Sequence, residues 1–226
     1  NFAKATPRMS SSDCPAVRHC CMPFSLDPEA RPHSEETIKK SRFIARLRQI
    51  DCEDDARGVI GLARELDRGA GHHCFAYVIG DEIESRIERY SDDGEPSGTA
   101  GAPILHVLKS RDLVNVVAVV SRYYGGIKHG TGGLARAYSG TVISAIEATT
   151  LRPRVQSQVF TLAVEHAEAG RVEAELRRRG FDVDGVDYGQ EAVITVLCVE
   201  AARLESVVGE ITSGRGELVR VGHVWR

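Results

Sequence analysis

One glycine-rich run, Arg122-Tyr123-Tyr124-Gly125-Gly126-Ile127-Lys128-His129-Gly130-Thr131-Gly132-Gly133-Leu134, constrains the fold of this chain more than any other stretch. It follows the apolar run Val116–Val120 and precedes the stripe Leu134, Ala137, Tyr138, Val142 and Ile146, which recurs at helical spacing. The pattern predicts a strand, then a bare backbone loop, then a helix. Glycine at this density lets backbone N–H groups approach a ligand closely. The helix N-terminus adds partial positive charge. Arg122, Lys128 and Arg136 add full charges. The implied site holds an anionic group, most simply a phosphate, among Arg122, Tyr123, Tyr124, Gly125, Gly126, Lys128, Gly130, Thr131, Gly132, Gly133 and Arg136. The plainer alternative is that the glycines serve only a tight strand-to-helix turn. Neither GxxxxGK[ST] nor GxGxxG occurs, so the run is not a Walker A loop or a dinucleotide fingerprint.

A second stretch, Ser91-Asp92-Asp93-Gly94-Glu95-Pro96-Ser97-Gly98-Thr99-Ala100-Gly101, puts three carboxylates within four residues. Asp92, Asp93 and Glu95 suit a hard cation such as Mg²⁺, which takes oxygen ligands. Turn chemistry is the competing reading: Asp and Gly shape the loop, and Ser97 or Thr99 caps the helix that follows. His72 and His73 stand at a strand entrance beside Cys74. Alternation lets only one of them share a face with the other candidates. They serve either as acid or base, or as structural hydrogen-bonding groups. No GxSxG, HExxH or CxxC motif is present, and no Ser-His-Asp or Cys-His arrangement can be assembled from the sequence.

The 226 residues allow one large or two small domains. A net charge of −3 argues against coating nucleic acid by bulk charge but permits a local basic patch. No apolar run reaches the roughly 20 residues that span a bilayer, and the first 30 residues lack an apolar signal-peptide core. The six cysteines form no disulfide-like framework, so reduced thiols in a cytoplasm are expected. Cys14, Cys20, Cys21 and His19 either bind a metal or lie in an unstructured tail. Residues 1–35 carry five prolines and a Ser10-Ser11-Ser12 run, and read as a disordered or extended segment, with Met9 or Met22 as candidate starts.

From 36 to 152 the pattern gives a half-buried strand at 41–49, a helix through Ala56–Leu66, two strands joined by Gly80-Asp81-Glu82, a short helix at Ile104–Leu108, a strand at Asn115–Val120 and the long helix after the glycine loop. A boundary follows at Leu151–Arg154. Residues 155–226 then read β-α-β-β-α-β, the ferredoxin-like arrangement. The chain is thus an α/β (α+β) protein of two domains.

Arg89 through Gly101, Pro103-Ile104-Leu105 and Val119 through Leu134, with Lys40–Ala45 and His72–Tyr77, resemble the signature of the IMPACT/YigZ family. The resemblance is strong over about 36–150; the C-terminal part is similar to the ferredoxin-like domain of the bacterial YigZ branch. It implies an N-terminal domain like domain 2 of ribosomal protein S5. Eukaryotic relatives in that family regulate translation by protein–protein competition. His129 departs from the pattern, standing where the family generally has an aliphatic residue. If buried, it changes the packing of the loop; if exposed, it adds a pH-dependent charge.

Two functions follow. The first is a cytosolic regulatory or binding protein tied to translation, contacting RNA, the ribosome or a translation factor through one cleft made by both motifs. Tyr123 and Tyr124 would stack on bases, and Lys128, Arg122 and Arg136 would meet phosphates. The alternative is a Mg²⁺-dependent enzyme on a phosphorylated or nucleotide-like small molecule. The arginines at 177–179 either extend a cationic track or form a solvated helix face. Oligomeric state has no signature in the sequence.

Overall fold

The computed structural model describes residues 22–226; the Cys14, Cys20, Cys21 and His19 cluster lies outside them. Among the described residues five α-helices and three sheets form two domains. No helix there is long and apolar enough to cross a membrane.

The first domain is built on a five-stranded antiparallel sheet. Its strands are β2 (His33–Ile38), β3 (Ser41–Gln49), β4 (His72–Ile79), β5 (Ile87–Ser91) and β6 (Val116–Tyr123), in the order β2-β3-β6-β4-β5. The central strand β6 has helices over both faces, which is why Val116–Val120 is uniformly apolar and fully buried. Helices α2 (Gly101–Ser110) and α3 (Thr131–Glu147) cover one face, with Ile104, Leu108, Tyr138 and Val142 against Phe43, Ala76 and Ala118. Helix α1 (Glu53–Leu66) covers the other through Ala56, Ile60 and Ala63. The Asp55 carboxylate accepts the backbone N–H groups of Asp51 and Cys52, which fixes the start of α1.

Two sequence expectations need correction here, and a third is narrowed. Residues 22–35, read as disordered or extended, include extended strands: β1 (Phe24–Leu26) pairs with β7 (Leu151–Pro153), and β2 begins at His33. Residues 80–82 are not a simple hairpin turn. A 3₁₀ turn at Ile83–Ser85 follows them, and the Asn115 side chain accepts the Gly80 N–H and donates to Asp81. The strand expected to stop at Val120 runs on to Tyr123, since β3 and β4 both supply partners out to Tyr123 and Arg122.

The second domain contains β8 (Gln156–Val164), α4 (His166–Arg178), β9 (Asp182–Tyr188), β10 (Ala192–Cys198), α5 (Ala201–Ile211) and β11 (Leu218–Trp225). The antiparallel strand order β11-β8-β10-β9 is the ferredoxin-like order. Alternate residues Phe160, Leu162, Ile194 and Val196 meet Val172, Leu176, Leu204 and Val208 in a core of its own. The arginines at 177–179 are held by ion pairs to Glu173 and Glu175 on their own helix, and Arg179 also reaches Glu210 of α5. Two of those arginines donate to Glu175 and hold its carboxyl well below the usual range, at about 2.

Candidate functional site

Strand alternation sends Arg122 and Tyr123 to opposite sides of the first sheet. Tyr123 lies on the α1 face, where its hydroxyl donates to Asp67 and the Arg42 guanidinium covers its ring. It is therefore removed from the cleft that the sequence assigned it to. Arg122 lies on the α3 face beneath the acidic loop. It is 5% exposed and donates through Nη1 to Glu95 Oε1 at 2.6 Å. The Tyr138 hydroxyl donates to the same oxygen at 2.7 Å. The guanidinium sits between two rings, 5.5 Å from the Phe43 centroid and 5.4 Å from the Tyr124 centroid.

His129 completes this arrangement. It is buried, its Nε2 is 3.0 Å from the Ile38 carbonyl, and its Nδ1 is 3.2 Å from Arg122 Nη2. Since a carbonyl only accepts and a guanidinium only donates, these partners assign the proton to Nε2. An aliphatic side chain at this slot would leave Arg122 with one partner fewer.

All three carboxylates of the acidic loop are engaged inside the protein. Asp92 Oδ1 accepts the N–H groups of Ala100 and Gly101, and Oδ2 accepts that of Gly98. Asp92, not Ser97 or Thr99, thus caps α2; Thr99 donates instead to the Pro96 carbonyl and Ser97 is exposed. Asp93 accepts the His73 N–H and pairs with Arg64. Glu95 is the buried partner of Arg122. Asp92 and Asp93 use both carboxylate oxygens on protein donors and Glu95 uses Oε1, contacts that belong to the turn-chemistry alternative to the Mg²⁺ reading. Among the described residues no group of three or more His, Cys, Asp or Glu side chains is placed to hold a metal.

The glycines have separate reasons. Gly125 is pressed against the turn between β2 and β3: a Cβ there would fall 2.0 Å from the Lys40 carbonyl carbon and oxygen. Gly126, Gly130 and Gly94 have positive φ. Gly132 and Gly133 are not loop residues but belong to the first turn of α3, whose N-cap Gly130 offers no side chain. That helix end has no acidic residue and is exposed at Thr131 and Gly132.

The two motifs meet along an open groove of roughly 430 Å³ lined by His72, Glu95, Pro96, Arg122, Tyr124, Lys128, His129, Gly130, Thr131 and Leu134. His72 faces it, while His73 lies on the opposite side against Ser121, where burial lowers its pKa. The groove's acid is neutralised by Arg122, so its free charge is cationic. Lys128 and Arg136 are exposed, and among the described residues neither enters an ion pair. Arg136 leans back over the first turn of α3, its Nη1 3.7 Å from the point where a Gly132 Cβ would stand.

Sequence reasoning missed Tyr138, which looked like one more apolar stripe residue, and the exposed Lys39–Lys40 turn against Gly125. Two consecutive lysines with positive φ joining Ile38 to Ser41 make a tight hairpin turn, and the alternation on either side of them was the available signal.

Beneath the groove, Cys74 Sγ contacts the Asp92 carbonyl and the Tyr138 hydroxyl, and burial pushes its thiol up to about 12. Cys52 is exposed at the start of α1. Iodoacetamide at about pH 8 is expected to alkylate Cys52 and spare Cys74 in the native protein. Peptide mass mapping reads this, and equal modification of both would contradict the packing.

The first domain matches the Impact N-terminal domain over residues 39–146, and the second matches a domain of unknown function (DUF1949) over residues 162–215. IMPACT family member YvyE of Bacillus subtilis is 36% identical over 192 residues, 84% of this chain and 87% of the relative. IMPACT family member YigZ of Escherichia coli is 37% identical over 194 residues, 85% of this chain and 95% of the relative. A solved structure titled as that of a hypothetical protein superposes with a TM-score of 0.66 at 34% identity, covering 88% of this chain and 98% of its own. Both motif loops fall inside the Impact N-terminal match, and the chain belongs to the IMPACT family.

Proposed function

We propose that this protein is a cytosolic regulatory binding protein of the translation apparatus that holds single-stranded RNA in the groove between its two motif loops. The observation that carries the reading is the free charge there. Among the described residues neither Lys128, on the groove wall, nor Arg136, just past the first turn of α3, enters an ion pair, and the N-terminus of α3 opens beside them without a side-chain cap, a combination suited to phosphate. Tyr124, 57% exposed, presents the second half of such a site, an aromatic face for an unstacked base. Lys39 and Lys40, both exposed, add positive charge on the turn packed against Gly125. The tie to translation rests on the family resemblance of these same loops.

The test is equilibrium binding of a labelled mixed-sequence RNA oligonucleotide across a salt series. The Lys128→Ala, Arg136→Ala double variant is expected to bind about tenfold more weakly. Its log K against log salt slope should be shallower by about 1.4, the share of two phosphate contacts on a single strand. Wild-type affinity and slope in the double variant would overturn the reading.

A further inference from the structure

Among the described residues the two domains share no apolar core: the clusters around Phe43 and Tyr77 belong to the first, and that around Leu162 to the second. What joins them is polar and concentrated on one short turn. Arg154 forks onto Asp81, with Nε 2.8 Å from Oδ1 and Nη2 3.0 Å from Oδ2, and Nη2 also reaches the Trp225 carbonyl. Three side chains of the second domain converge on a single oxygen of Glu82: Trp225 Nε1 at 2.8 Å, His223 Nε2 at 2.9 Å and Gln156 Nε2 at 3.2 Å. The turn is itself braced from behind, by Asn115 on Gly80 and Asp81 and by Arg86 on the Asp81 carbonyl.

From this geometry we infer that the Gly80-Asp81-Glu82 turn is a releasable latch, and that the domains swing about Arg154–Val155 when it opens. A hinge is available because only these two residues separate β7 from β8. Arg154 N–H is held by the Pro23 carbonyl on one side, and Val155 exchanges both backbone bonds with Arg226 on the other, so each domain keeps its own end of the linker. Release is available on the Glu82 side, where Glu82 and His223 are both 42% exposed in side-chain area, against 26% and 16% for Arg154 and Asp81 beside the hinge. Pairs in contact with water are weak and are screened by salt. An interface without a shared apolar core permits relative domain motion. The braced turn, by contrast, remains folded when the latch is open, which makes the change one between two defined arrangements.

The chain has one tryptophan, so its fluorescence reports the latch directly. In the full-length protein, Glu82→Ala is expected to shift Trp225 emission to the red and raise its quenching by acrylamide, with unchanged far-ultraviolet circular dichroism. The Asp81→Ala, Glu82→Ala double variant should in addition enlarge the radius of gyration measured by X-ray scattering. Glu84→Ala, an exposed neighbour in the same turn, should leave both readings at wild type. In wild-type protein, high salt should move the quenching toward that of the Glu82→Ala variant. Wild-type quenching and dimensions in the Asp81→Ala, Glu82→Ala variant would overturn the latch. So would a wild-type protein whose tryptophan is already as accessible at low salt as in Glu82→Ala.

Discussion

Gly125→Ala is expected to abolish cooperative folding of the first domain. A methyl group at this position would sit 2.0 Å from the Lys40 carbonyl atoms and 2.5 Å from the Ser41 nitrogen, all of them backbone. No side-chain rotation relieves such a clash. The Lys39–Lys40 turn is already tight, with φ of 46° and 64°, and the Gly125 N–H is bonded to Ser41 Oγ. Either the turn or the glycine loop must move, and each carries its neighbours with it. Overpacking between side chains costs roughly 1–3 kcal/mol; a backbone-on-backbone collision belongs beyond about 4 kcal/mol, among the exceptional substitutions. Urea unfolding followed by circular dichroism should show the second domain's transition alone. A variant that keeps both transitions within about 1 kcal/mol of wild type would refute the packing described here.

The second large effect is expected at Glu95. Its side chain is 3% exposed and that of Arg122 is 6% exposed. Glu95→Ala leaves a buried guanidinium without its counter-charge, with His129 as its remaining side-chain hydrogen-bond partner, and leaves the Tyr138 hydroxyl with only the Cys74 thiol. Removing one member of a buried pair costs about 3–5 kcal/mol, because the remaining charge loses both water and counter-charge. The Glu95→Met, Arg122→Met double variant should recover most of that loss, since the charge itself has gone. Denaturation midpoints of Glu95→Met, Arg122→Met and the double variant close the cycle. A loss below about 1 kcal/mol in Glu95→Ala would mean that the pair is hydrated in solution.

These two expectations show where sequence reading succeeds and where it stops. The strand, loop and helix around Gly125 were legible because apolar runs, glycine clusters and helical stripes are local signals. The ferredoxin-like half was legible for the same reason. The chemistry within the loops was not local. Glu95 finds Arg122 across 27 residues and Tyr138 across 43. Asp92 caps a helix whose first residue lies nine positions on. Three carboxylates in four residues suggested a cation, yet each had an internal donor that spacing alone does not reveal. Arg122 and Tyr123 looked like loop residues because their polarity masked a strand whose pairing comes from β3 and β4. Strand β2, His-Ser-Glu-Glu-Thr-Ile, has almost no apolar content; it is ordered by its ladder with β3 and by Ser34 and Glu36 bonding to α3.

That borrowed order has a practical side. A fragment trimmed to the shared family span, residues 39–146, would discard β1, β2 and β7 together. One flank of the nine-residue β3 would then be left with its backbone donors and acceptors open to any other chain. Uncovered edges of this kind recruit strangers and seed aggregates. The polar hexapeptide that least resembles a structural element is what keeps the sheet from growing.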